Sequence, residues 1–98
     1  IPMMKVFEMY RGMATPADVL QAVEQGEPSK EVHATRAFYA HLYLGLYYEV
    51  TGKPKLARKY IQLAAAPQLL GHAGINSYMW DVARVHWNRM QQTNKLPK

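Results

Sequence analysis

An all-α chain is predicted, on three observations. No stretch of the 98 residues alternates polar and apolar side chains with period two, the mark of a half-buried strand. Glycine and proline fall in clusters, at Gly12, Gly26, Thr51-Gly52, Pro67 and Gly71 to Gly74, and divide the chain cleanly. Between them apolar residues recur at helical spacing, and several segments open with residues that start helices. Five helices are expected.

The first runs from Pro2 to Tyr10, with Met3, Val6, Phe7 and Tyr10 as its apolar set and Gly12 where a terminating glycine would sit. The second begins at Thr15-Pro16-Ala17-Asp18. Thr15 can cap, Pro16 has the preset φ of a first helical position, and Asp18 stands where a capping-box acid would. Val19, Leu20 and Val23 give it a short apolar face, and Gly26 stops it. Ser29 is the next cap, with Glu31 favouring the helix dipole, and no breaker follows until Thr51-Gly52. That predicts a long helix. The fourth starts at Pro54 and runs to about Ala66. After a loop, the fifth spans about Ile75 to Gln92 and leaves a frayed basic tail. Tyr78, Val82 and Val85 are expected to form its inward stripe, with Trp or Met side chains one turn on.

The middle of the chain carries a recognisable spacing: Leu44-Gly45-x-x-Tyr48, then Ala57, Ile61 and Ala64. Physically, Gly45 lets a facing helix approach its backbone and Ala57 does the same from the other side. Leu44, Tyr48, Ile61 and Ala64 fill the space between. This pattern resembles the tetratricopeptide (TPR) repeat, a 34-residue pair of antiparallel helices. The unit spans about 38–71, a third of the chain. It departs from the usual repeat at His41, where Trp is common, at Ile61 in place of an aromatic, and at Pro67, two residues early. The order of the flanking helices resembles the C-terminal part of bacterial TPR proteins of the NlpI lipoprotein-like kind. The resemblance implies one TPR-like domain over 1–98: antiparallel helix pairs in a short right-handed solenoid, with about 75–92 as a capping helix.

It also implies a role in holding other proteins. The concave surface would fall at Tyr39, Leu42, Tyr43, Leu46, Glu49 and Val50. Leu42 and Leu46 stand where a chaperone-tail clamp would need polar residues, which argues against that receptor type. Two readings of these apolar positions stay open: packing against the N-terminal helices of the same chain, or a groove for an apolar segment of a partner. Trp80 and Trp87, seven apart with Arg84 beside them, pose the same choice between core and binding anchor.

Charge is asymmetric. Residues 1–52 hold four basic and six acidic side chains, a balance of −2, whereas 53–98 hold eight basic side chains and only Asp81, a balance of +7. Lys53, Lys55, Arg58 and Lys59 form a basic patch that suits an acidic partner surface. The rival is a basic peripheral subunit contacting an anionic membrane surface or RNA. Nucleic acid is disfavoured because the aromatics sit at packing positions rather than among the basic residues.

Catalytic patterns are not found in the sequence. The absence of cysteine excludes disulfides and thiolate metal sites, and the four histidines lack ligand spacing. Gly71-His72-Ala73-Gly74 lacks the Lys-Ser or Lys-Thr of a phosphate loop, and Ser29 and Ser77 have no nucleophile-elbow context. The expectation is a non-catalytic scaffold, adaptor, assembly factor or small structural subunit of a larger complex, without metal or cofactor. Opening on Ile1-Pro2 in place of an initiator Met points to a processed protein or a piece of a longer one, compatible with export or an organelle.

Overall fold

The computed structural model describes residues 2–95. It is all-helical: α1 (Pro2–Tyr10), α2 (Pro16–Val23), α3 (Lys30–Val50), α4 (Pro54–Ala64) and α5 (Ser77–Lys95), with a 3-10 turn at Pro67–Leu69. No strand occurs among the described residues. Residues 96–98, part of the expected basic tail, lie outside them.

Local chemistry sets the boundaries. Thr15 and Asp18 close a capping box: the Asp18 N–H donates to Thr15 Oγ1 at 3.2 Å, and the Thr15 N–H donates to Asp18 Oδ2 at 2.9 Å. That second bond holds the Asp18 carboxyl below its ordinary range. Ser29 caps α3 through the Val32 N–H. Both α1 and α3 end in Schellman motifs. Gly52 has φ +78, its N–H donates to the Glu49 carbonyl at 3.3 Å, and the Lys53 N–H donates to the Tyr48 carbonyl at 2.8 Å. Gly12 repeats the arrangement with Met9 and Glu8.

Three boundaries differ from expectation: α5 runs on to Lys95, through residues expected in the frayed tail, and two others have a local cause. α4 stops at Ala64 because Ala65 and Ala66 turn into Pro67, which has no N–H with which to continue a helix. α5 starts at Ser77 because Asn76 caps it, its Oδ1 accepting from the N–H groups of Tyr78 at 2.8 Å and Met79 at 3.2 Å.

The helices lie in a flat stack of 47 × 33 × 17 Å, a thickness that accommodates about two helix layers. α3 is central. It packs most extensively on α4, and also on α1 and α2, while α5 packs on α4. One core cluster joins Phe38 and Leu42 of α3 to Ile61 and Ala64 of α4 and to Ile75, Trp80 and Ala83. The other joins Ala40 and Leu44 of α3 to Val6, Met9, Val19, Val23 and Tyr60. This is why α3 is apolar around its girth: opposite faces of one helix serve two cores.

The close approach expected at Gly45 is present. A Cβ built there would stand 2.6 Å from both Cγ1 and Cδ1 of Ile61 and 3.1 Å from its backbone N. Ala57 is likewise fully buried. Every buried side-chain nitrogen and oxygen has a hydrogen-bond partner among the described residues.

Three expected faces need correction. On α1 the buried residues are Val6 and Met9, while Phe7 is 60% exposed. On α2, Ala22 joins Val19 and Val23 in the core and Leu20 sits at its edge. On α5 the inward stripe is Met79, Trp80, Ala83, Trp87 and Met90, and the expected stripe faces out, with Tyr78 72%, Val82 36% and Val85 39% exposed.

Candidate functional site

The helix phases just described decide which predicted binding positions a partner could reach. On α3, Leu42 is fully buried between α4 and α5, so it belongs to the core and is closed to a partner. Leu46 and Tyr39 pack against the edge of the same cluster, towards the C-terminal helices rather than the N-terminal ones. The Tyr39 hydroxyl accepts the Asn76 N–H at 3.2 Å, which ties α3 to the start of α5. Glu49 is exposed and pairs with His86 of α5, Oε1 to Nε2 at 2.9 Å. Val50, the last residue of the helix, is open to solvent.

Trp80 also belongs inside. It is 8% exposed, and its indole N–H donates to the Ala66 carbonyl at 3.1 Å, satisfying both the ring and the end of α4. Trp87 is half-buried against the same cluster. Arg84 points along α5 to Asp81, with Nε and Nη2 both donating to Oδ1 at 2.9 and 2.6 Å. Trp80 is therefore core with Trp87 half-buried at its edge, and the more exposed α5 surface is the opposite one.

Tyr43 of α3 opens onto a cleft. With Val6, Phe7, Tyr10 and Arg11 it lines a shallow apolar depression between α1 and α3. The α1 helix is held there by Tyr10, whose hydroxyl donates to the Tyr43 carbonyl at 2.9 Å and whose ring meets Tyr47 edge-on at 5.5 Å. Burial, with Tyr43 and Tyr47 nearby, raises the Tyr10 pKa above its ordinary value, so the hydroxyl stays a donor. Phe7, largely exposed, lines the same cleft.

Other depressions are more polar. One lies between Thr35 and the Gly74 loop, lined also by Glu31, Arg36 and His72. Arg36 is already committed, donating to the carbonyls of Gln25 at 2.7 Å and Val23 at 3.4 Å. Among the described residues no group of three or more His, Cys, Asp or Glu could hold a metal. No helix of the described residues is long and apolar enough to cross a membrane.

The basic patch gathers at the start of α4. Lys53, Lys55 and Lys59 are exposed and Arg58 is half-exposed. None takes part in an ion pair among the described residues; Lys59 Nζ sits 5.3 Å from the Tyr60 ring centroid instead. Lys53 occupies the N-cap without any side-chain cap, and the first turn of α4 has no acid. Cations at a helix N-terminus oppose the macrodipole, so this placement costs stability.

Sequence reasoning missed Phe7 and Tyr10 as surface residues because it counted them with the helix's apolar face. The signal was there: Val6 and Met9 are three apart, and Phe7 and Tyr10 define a second, rotated stripe. Comparison of the chain with family models, curated proteins and solved structures finds no match.

Proposed function

We propose that this chain is a TPR-type helical scaffold whose activity is to hold another protein, and that the α1–α3 cleft seats an apolar segment of that partner. The observation that carries the proposal is the cleft lined by Phe7, Tyr10 and Tyr43, with Arg11 at its rim. A large, exposed aromatic side chain beside a wall held by the Tyr10–Tyr43 hydrogen bond is the composition of a binding anchor. The pairing of α3 and α4 at Gly45 and Ile61, joined through Gly52, supports the TPR reading of 38–71. The uncapped basic start of α4 supports an acidic patch on the same partner, since a bound carboxylate would relieve the unfavourable charge at that helix end.

Capture of native complexes on the immobilised chain, with mass spectrometry, tests this. Phe7→Asp, at a largely exposed position, should leave the helical content unchanged and remove the captured protein. Equal recovery on a folded Phe7→Asp chain would defeat the cleft assignment. Leu42→Asp should instead unfold the domain.

The unpaired basic patch also favours a second reading, a peripheral contact with an anionic membrane surface or RNA through Lys53, Lys55, Arg58 and Lys59. Binding of that kind weakens steeply with salt and is lost on charge reversal at Lys55 and Arg58. Capture through the cleft changes little with salt.

A further inference from the structure

The outer face of α5 carries a stripe that the scaffold reading leaves unused. Tyr78, Val82, Val85 and Arg89 follow each other at steps of four, three and four, the spacing of a coiled-coil seam. They stand on the side of α5 away from Trp80, Ala83 and Trp87, and they line one shallow groove. The stripe is about 16 Å long.

The geometry points to a second copy of this chain as the occupant, packed through an antiparallel α5–α5 pair about a twofold axis. In an antiparallel seam the first position faces the fourth and the second faces the third. Tyr78 of one copy then meets Arg89 of the other, a cation over an aromatic face. Val82 meets Val85, an apolar layer on each side of the axis. A twofold axis also keeps each edge of the seam facing its own equivalent. Asp81, at the edge of the seam, comes to the interface with its charge already met by Arg84 of its own helix at 2.6 Å. Every layer is matched, as an isologous interface requires.

Alternatives fail the same examination. A parallel pair would set Arg89 against Arg89. The outer side of α1, taken as Met4, Phe7, the half-buried Glu8 and Arg11 just past its end, folded on itself in the same way, sets the Phe7 ring against the Glu8 carboxylate and Met4 against Arg11. The α5 stripe, unlike that of α1, pairs each side chain with one it attracts.

Interfaces well under ~1,200 Å² are weak and transient, so sedimentation of the chain has to extend to about 500 µM. A monomer–dimer equilibrium is expected in that range. Val82→Asp, at an exposed position, should abolish it with helical content unchanged, and Val85→Lys should do the same. Register is read by cross-linking, which is clean because the chain has no cysteine. Val82→Cys mixed with Val85→Cys should yield several-fold more oxidised dimer than either variant alone. Phe7→Asp should leave the dimer intact, which separates this interface from the cleft between α1 and α3. A monomer throughout the range, a dimer that survives Val82→Asp, or a preference for the Val82–Val82 cross-link would each overturn the assignment.

Discussion

Replacing Gly45 by alanine sets two known effects against each other. An alanine in mid-helix is worth about 1 kcal/mol over glycine through backbone entropy. The new methyl, however, would stand 2.6 Å from two carbons of Ile61, against an ordinary contact of about 3.5–4.0 Å, so the neighbour must retreat by about 1 Å. Ile61 is fully buried between α3 and α5, and its backbone N is itself only 3.1 Å from the added atom, so rotating the side chain alone does not clear the site. Overpacking of this kind costs about 1–3 kcal/mol. We place the clash near the upper end because backbone is involved, which leaves Gly45→Ala about 1–2 kcal/mol less stable than the parent. Urea unfolding followed by circular dichroism measures this directly. The second half of the cycle is more telling. Ile61→Ala alone should cost about 2–5 kcal/mol. In that background Gly45→Ala should lose its penalty and become stabilising by up to about 1 kcal/mol, since Cγ1 and Cδ1 are gone and only the backbone N at 3.1 Å still opposes the propensity gain. A Gly45→Ala chain more stable than the parent, with Ile61 present, would refute the close-approach argument.

Three further outcomes follow from local physics. Thr15→Ala removes the capping box of α2 and should lower stability by about 1 kcal/mol in the same unfolding assay. Lys53→Asp supplies a cap and an acid at the bare start of α4, and should raise stability by about 1 kcal/mol while weakening capture of an acidic partner. His41 lies against Tyr60, and its pKa is held below the ordinary 6.5 by burial first, then by His33 and Lys59. A depressed folded-state pKa favours the neutral form, so its contribution is present above pH 6.5 and is lost as pH falls through the folded value. The stability of the parent relative to His41→Gln should therefore decline from pH 7.5 to pH 5; a constant or rising difference counts against the burial argument. The pair His86–Glu49 occurs in both proteins and cancels from the comparison, whereas the repulsion between His33 and His41 belongs to the difference being measured.

The amino-acid order by itself determined the boundaries of α1 to α3 and the start of α4, because caps and breakers act over three or four residues. Thr15 to Asp18, Ser29, Gly12 and Gly52 each do in the fold what their local chemistry predicts. It also pointed to Gly45 as a place of close approach, through the Leu44-Gly45-x-x-Tyr48 spacing and the missing Cβ. What it left open was phase. α5 carries two apolar stripes, Trp80–Ala83–Trp87 and Tyr78–Val82–Val85, and helical periodicity is equally satisfied by either. The choice is made by Asn76, which caps α5 while its own N–H is held by Tyr39 of α3, and by the Trp80 indole, which reaches the Ala66 carbonyl at the end of α4. These partners lie 37 and 14 residues away in the chain. Leu42 entered the core, and Phe7 was left at the surface, for the same reason. Rotation of one helix about its axis is set by the helices it touches, and only the assembled structure supplies them.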